Sequence, residues 1–297
     1  MHDELVSYAQ NLEDLVLYVL LHKKKKGFYV DVGANHETFH SVTKFFYNRG
    51  WHGINIEPTK SLIDEYKVRT RDTNLHTAVS NKPGELAFRE YPQHDGLSTF
   101  ATTIKKQHTK EELPYHDRKV KVTTLRHIFS EQKVKDIDFL KIDVEGHEPQ
   151  VLQGNDWKKY RPRVVVFEGT VAEKCRNFLE EQNYHQVYFD GLNYYMVADE
   201  QTDLDMSQYP ALLLSYGYYT SSHKSLKEEH QKLQSLYAEI QASYQLVCAK
   251  LEEVPSVKKS LRLTAKSLRR SLGRRTKLLI RKMTVSPSHA EGEEMNE

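Results

Sequence analysis

Cysteine is nearly absent: of 297 residues only Cys175 and Cys248 carry thiols, far apart and without a Cys-x-x-Cys pair. That argues against a disulfide framework and against a cysteine-bound zinc. No run of about 18 apolar residues occurs, so no transmembrane helix is expected. The opening MHDELVSYAQNLEDLVLYVLL has acids where a secretory signal needs a basic region, and no small-residue cleavage site follows. A cytoplasmic protein is the expected reading. Glycine is short at one informative place. FYVDVGANHETF, residues 28–39, reads as a strand, a glycine turn and a helix, where nucleotide cofactors sit. A dinucleotide fingerprint wants G-x-G-x-x-G, and this turn has only Gly33.

Hydrophobic residues make up 38% of the chain and aromatic residues 10%, enough for a core. The mean hydropathy is nevertheless low, as for a globular part diluted by a polar one. The net charge of +2 hides an asymmetry, because residues 256–286 hold eleven bases and no acid, which leaves −9 on the rest. The body is acidic and the tail basic, so an anionic partner is expected to meet the tail.

Up to about residue 200, short apolar runs alternate with amphipathic ones. GFYVDV (27–32), GINIE (53–57), LHTAVS (75–80), DFLKIDV (138–144) and RVVVFEG (163–169) have the continuous apolar character of strands buried on both faces. Helical stretches lie between most of them, at about 39–48, 59–67, 124–132, 148–153 and 171–182. Such alternation implies right-handed βαβ units and an α/β, doubly wound, mostly parallel sheet. Two alternating runs in HQVYFDGLNYYMVA (185–198) flank Asp190-Gly191 and predict an antiparallel hairpin, for seven strands in all. Residues 81–122 add a strand, PGELAFREY, and a long irregular loop.

The expected organisation is an N-terminal helix (1–27), a core (28–200), a linker (201–221), a coiled coil (222–254), a basic amphipathic segment (256–283) and a disordered acidic tail (284–297). The coiled coil rests on Leu226, His230, Leu233, Tyr237, Ile240, Tyr244, Val247, Leu251 and Val254, spaced alternately by four and three. It implies a homo-oligomer. The basic segment suits the surface of an anionic membrane, which places the protein in the cytoplasm, peripheral to the inner face of the membrane.

In a parallel sheet, ligands sit beyond the carboxyl ends of the strands where strand order reverses. Asp31 and Gly33 would lie there. Gly33 lets the backbone come close to a ligand, and Asn35 tolerates a left-handed conformation and could cap the next helix. A pyrophosphate wants more backbone clearance and no carboxylate nearby, whereas a sulfonium cofactor bearing an amino acid is favoured by nearby acids. Glu57, at the end of the second strand, could accept from ribose hydroxyls, but an acid there fits either cofactor.

FYVDVGAN, VTKFFYNRGWHGINIEP, GLSTF, IDFLKIDVEGHEPQVLQGNDW and RPRVVVFEGT together resemble the FkbM family of S-adenosylmethionine-dependent methyltransferases. The resemblance runs from about Ser7 to Ala198, and FLKIDVEGHE is its most specific part. It implies a Rossmann-like core with S-adenosylmethionine as cofactor. Asp31, Gly33 and Asn35 would line its methionine and ribose end, Glu57 would hold the ribose, Ala78 to Ser80 would edge the adenine, and Asp143 would face the methionine or the reacting centre. The family's turn often has a glycine where Glu37 stands, so the mouth of the methionine pocket would be reshaped.

DVEGHE offers Asp143, Glu145 and His147 for catalysis, and Glu168 ends the next strand. Asp143 and Glu168 could hold one Mg²⁺ through oxygen ligands, with His147 taking a proton from a sugar hydroxyl. The bland readings are that Glu145 caps near the Glu148-Pro149 helix start and that His147 is a loop residue. Ser98 and Thr99 are candidates for substrate hydroxyl contacts. Tyr8, Gln10 and Asp14 would close over the cofactor. The expected activity is O-methylation of a hydroxyl, that of a sugar in a polysaccharide or glycolipid. An NAD-dependent oxidoreductase lacks its glycines, and a non-catalytic interaction protein would not need Asp31, Gly33, Glu57 and Asp143. No nucleic acid is expected, because DVEGHE stands where an (N/D)PP(Y/F)-type motif would be.

Overall fold

A computed structural model describes residues 5–92, 95–102, 104–105, 113–204, 206, 218–220, 239–240 and 243. The chain divides into two compact units, Met1–Ser225 and Leu226–Glu297. In the second, Glu239, Ile240 and Ser243 are helical and exposed. The rest of the expected coiled coil (222–254), the basic segment (256–283) and the acidic tail (284–297) lie outside the described residues.

The first unit begins with strand β1 (Leu5–Ser7) and a helix, α1 (Glu13–Leu20), rather than one helix over 1–27. Asp14 explains the break. Its buried carboxylate accepts from the Ser7 hydroxyl (2.7 Å) and from the amides of Tyr8 (2.7 Å), Ala9 (3.3 Å) and Leu15 (2.9 Å). The Tyr8 and Ala9 amides belong to the turn between β1 and α1, and the Leu15 amide, which also bonds to the Leu12 carbonyl (2.9 Å), to the first turn of the helix. Asp14 therefore shapes its own turn instead of closing over a cofactor. β1 pairs in parallel with Tyr218–Thr220, a short strand inside the segment expected to be linker.

The central sheet is built from β2 (Phe28–Val32), β3 (His52–Ile56), β4 (Thr73–Leu75), β8 (Phe139–Ile142), β9 (Val164–Glu168), β10 (Tyr184–Phe189) and β11 (Asn193–Ala198). Their order is β10-β11-β9-β8-β2-β3-β4. β9, β8, β2, β3 and β4 run parallel, and β11 pairs antiparallel with both β9 and β10. Strand order reverses between β2 and β8, which is where such a sheet opens a ligand crevice. The hairpin turns at Asp190, whose carboxylate accepts from the Leu192 (2.9 Å) and Asn193 (2.7 Å) amides.

Both faces of the sheet are covered. Val30, Val32, Ile54, Ile56, Leu140 and Ile142 pack into one cluster, and Tyr29, Phe139, Val164 and Val166 into the other with α1 and the helix Val42–Asn48. Each such buried side chain contributes roughly 1.5–3 kcal/mol relative to exposure.

Two sequence expectations are corrected here. The run 75–80 is not one strand. It turns at His76, where the Thr77 amide bonds to the Leu75 carbonyl (3.0 Å) and the imidazole meets the Pro58 carbonyl (2.9 Å). Residues 81–122 are not mainly irregular. β5 (Ala78–Val79), β6 (Gly84–Glu90) and β7 (His116–Thr123) form a second sheet in the order β5-β7-β6. In β7, buried Val120 and Val122 alternate with exposed Lys119 and Lys121, a period-two signal hidden among charges.

Replacing Asp14 with Ala is expected to lower unfolding stability by about 2–4 kcal/mol, since several buried donors lose their acceptor at once. Urea unfolding measures it, and a shift below about 0.5 kcal/mol, the size of an ordinary surface substitution, would show that Asp14 does not organise this turn.

Candidate active site

Near the carboxyl edge, a row of polar residues crosses one face of the central sheet. Asn74, Asn55, Asp31 and Lys141 are register partners on β4, β3, β2 and β8, each the penultimate residue of its strand. Asn55, Asp31 and Lys141 are buried and Asn74 is half-buried. Asn55 donates to Asn74 (2.8 Å) and to Asp72 (3.0 Å). The Lys141 ammonium lies 3.6 Å from Asp31, 3.2 Å from Asp143 and 3.2 Å from the Gly33 carbonyl. Burial disfavours its charge, but Asp143 and Asp31 outweigh that and raise its pKa. Burial likewise raises the pKa of Asp31, against the pull of Lys141.

Asp31 therefore does not line the cleft, contrary to the sequence expectation. Its carboxylate belongs to this buried row and one of its oxygens makes no hydrogen bond. Lys141 was missed. The signal was a lysine inside FLKI, a strand otherwise apolar and buried on both faces.

A second buried cation fixes the turn after β2. Arg69 bonds to Glu37 (3.1 Å), Thr43 (2.7 Å) and Ser41 (2.9 Å). Glu37 also pairs with Lys44, and its pKa is lowered: burial raises it, but hydrogen bonds from Lys44, Thr38 and Arg69 prevail. Where the family often has glycine, Glu37 anchors the turn from behind and stays out of the cleft wall. The helix starts only at Val42, so Asn35 does not cap it.

The cleft lies beyond the carboxyl ends of β2, β3 and β8. Gly33, Asn35, Glu57, Ala78, Asp143 and Glu145 line it, with Phe88, Ser98 and Phe100 from the inserted segment. Gly33 has φ +79, and a Cβ there would lie 1.8 Å from the Asp143 carbonyl oxygen. The glycine is required first by the neighbouring strand end. Asn35 is left-handed as expected (φ 52). Its side-chain oxygen is buried without a hydrogen-bond partner. Glu57 accepts from the Asn35 (3.1 Å) and Thr59 (2.7 Å) amides, which fixes its carboxylate at the cleft and leaves further lone pairs.

The turn after β8 delivers a cluster of acids. Glu148, rather than Glu145, ties it down, accepting from the Val144 (3.0 Å) and Gly146 (3.1 Å) amides. Glu145 is left-handed (φ 52), and its carbonyl accepts from the Thr99 hydroxyl (2.6 Å). Thr99 is fully buried and its oxygen also accepts from the Ala101 amide (2.9 Å), so its hydroxyl supports the turn. Ser98 lines the cleft, with its oxygen accepting from the Tyr91 amide (3.1 Å).

Asp143, Glu145 and Glu168 offer carboxylate oxygens that all lie within 4.8 Å of one another. Burial and the neighbouring acids push Glu145 up to about 9 and Glu168 up to about 8. At neutral pH these two therefore hold protons that a bound cation would displace. His147 goes the other way, lowered to about 4 by burial and by Lys105. It sits 3.1 Å from the Ser80 hydroxyl, and neither residue lines the cleft. Ser80 thus bonds to His147 rather than lining the cleft, and His147, lowered to about 4, is a weak base.

Replacing Lys141 with Met leaves two acids without their cation and is expected to cost about 3–5 kcal/mol of stability. Pairing it with Asp31→Asn should recover at least about 1 kcal/mol if the two groups are coupled. Denaturant unfolding of the four proteins measures this, and strictly additive costs would contradict the pairing.

Against known proteins, the sequence matches the family model described as Methyltransferase FkbM domain over residues 31–186. No curated protein sequence matches the chain. Among solved structures, it is similar to a precorrin-6y C5,15-methyltransferase from Geobacter metallireducens, at 12% identity and TM-score 0.33 over 66% of this chain and 94% of that one. It is also similar to an O-methyltransferase from Bacillus cereus in complex with SAH, at 13% identity and TM-score 0.33 over 66% and 83%. The family match spans more than half of the chain and includes the end of β2 with β3, β8 and β9, which carry the cleft and its acids: the chain belongs to the FkbM methyltransferase family.

Proposed function

We propose that the protein transfers a methyl group from S-adenosylmethionine to a hydroxyl, that of a sugar in a polysaccharide or glycolipid. The observation that carries this reading is the acceptor-rich lining of the cleft: the unpartnered Asn35 oxygen and the carboxylates of Glu57 and Asp143. The cofactor presents a sulfonium, an ammonium and ribose hydroxyls, all positive or donating. A nicotinamide dinucleotide fits worse. Its pyrophosphate would face these carboxylates, and with the helix starting at Val42 no helix N-terminus follows Gly33 to receive it.

In this reading Glu57 holds the ribose, Gly33 and Asn35 run along the methionine, and Ala78 with Phe88 and Phe100 borders the adenine. Methyl transfer is an in-line displacement, so the protein's task is to align the acceptor oxygen and receive its proton. Glu168, pushed up to about 8, ionises more readily than Glu145, pushed up to about 9, so its ionised fraction is the one that receives the proton. Asp143, Glu145 and Glu168 also fit a hard divalent cation such as Mg²⁺, which when bound would lower the pKa of an acceptor hydroxyl. A homo-oligomer through residues 222–254 and membrane contact through residues 256–283 would suit an enzyme of surface glycans.

S-adenosylhomocysteine is expected to raise the melting temperature and NAD to leave it unchanged. Glu57→Ala should weaken S-adenosylhomocysteine binding by roughly tenfold or more, from the loss of hydrogen bonds to the ribose. A shift with NAD alone would overturn the reading.

Because Glu168 and Glu145 have raised pKa values, binding of Mg²⁺ or Mn²⁺ should tighten as pH rises through about 8 to 9 and should release protons. Calorimetry in two buffers of different ionisation heat measures this. Affinity independent of pH over that range, or unchanged in Glu168→Gln, would remove the metal from the proposal.

A further inference from the structure

The amino ends of the strands carry charge of the opposite sign. β2 and β8 are adjacent and parallel, so the segments leading into them emerge side by side. One holds Lys23, Lys24, Lys25 and Lys26, the other Lys133 and Lys135, and all six are exposed. A cleft between them is lined by Lys24, Lys26, His52, Lys133 and Lys135.

Few acids oppose these charges. Asp138 is buried, pairs with Lys24, accepts from the Phe28 amide (2.9 Å) and lies 3.8 Å from Arg163. Asp203 is 4.0 Å from Lys23 but 3.3 Å from Arg163. Asp136 is the remaining acid of the cleft lining. Among the described residues, Lys25, Lys26, Lys133 and Lys135 make no salt bridge. Lys133 also occupies a left-handed position (φ 53) after the helix Leu125–Glu131, where the Val134 amide bonds back to the Phe129 carbonyl (2.9 Å). Glycine ends a helix this way at least cost, and here a cation stands in its place at the cleft.

We propose that this edge docks the protein on an anionic phospholipid surface. Like charges gathered at this density repel one another unless an anionic partner relieves them. The cations are long flexible lysines, point charges rather than the planar forks that read discrete phosphates. The one benzene ring in the lining, Phe28, is half-buried with His52 against its edge (5.2 Å), so no platform for stacking bases is offered. The same chain carries eleven bases and no acid over residues 256–286, and two modest cationic contacts on one chain reinforce each other at a surface. Docked by this edge, the protein turns the cofactor cleft at the other end of the strands toward the aqueous side. The acceptor then arrives from solution, as an extended glycan would, and not from the bilayer plane.

The test is co-sedimentation of the full-length chain with vesicles of phosphatidylcholine alone and of phosphatidylcholine mixed with phosphatidylglycerol. The comparison is with K25Q/K26Q/K133Q/K135Q, whose changes lie away from the cofactor cleft and break no described salt bridge. The wild type should bind only the mixed vesicles. The variant, its basic tail intact, should bind them about tenfold or more weakly while keeping its thermal response to S-adenosylhomocysteine. A photoreactive anionic lipid should label peptides containing residues 23–26 and 133–135. Equal binding by variant and wild type, or no binding by the wild type, overturns the proposal. So does a short DNA duplex that displaces the wild type from vesicles through the same four lysines, which would assign the edge to nucleic acid.

Discussion

Lys141 sits buried between Asp31 and Asp143, across the point where the strand order of the sheet reverses, and the rest of the site depends on that contact. Taking a lysine and an aspartate out of water costs several kcal/mol per ion, so the pair is not there to add stability. It fixes position. Lys141 holds the Gly33 carbonyl and the Asp143 carboxylate at once, so the ends of β2 and β8 are locked together. Gly33 can pack against the Asp143 backbone only because it lacks a Cβ. With those two ends fixed, Asn35 is placed against Glu57, and the turn held by Glu148 presents Glu145 to Asp143 and Glu168.

This arrangement gives the sheet an electrical direction. Its carboxyl edge gathers Glu57, Asp143, Glu145 and Glu168, some held protonated by burial and by the neighbouring acids. Its amino edge gathers lysines. A cationic cofactor would relieve the first, and the anionic surface we propose would relieve the second. Both readings rest on charge complementarity between a surface and its partner.

Much of the fold was legible because strands buried on both faces leave a plain apolar record. GFYVDV, GINIE, DFLKIDV and RVVVFEG all became strands of the central sheet, and Asp190-Gly191 turned the hairpin. What escaped reading was set by pairing across the chain. β7 is an exposed ribbon whose two buried valines are lost among lysines. LHTAVS reads as one run, but its halves join different sheets. At the site, the sequence marks acids at strand ends without marking which way they face. Glu57, Asp143 and Glu145 reach the cleft, while Asp31, one residue inside its strand, turns to Lys141. Thr99 and Asp14 have side chains able to bind a ligand, and both are consumed by their own backbone turns.

The central claim is that the acid-lined cleft at the carboxyl edge holds S-adenosylmethionine and leaves its acids facing an acceptor. A crystal structure of the full chain with S-adenosylhomocysteine measures this directly. The account predicts ribose hydroxyls hydrogen-bonded to Glu57, the methionine portion along Gly33 and Asn35, and Glu145 and Glu168 free of the cofactor. An adenosine bound away from Glu57, or a ligand that displaces Lys141 from Asp31, would contradict it.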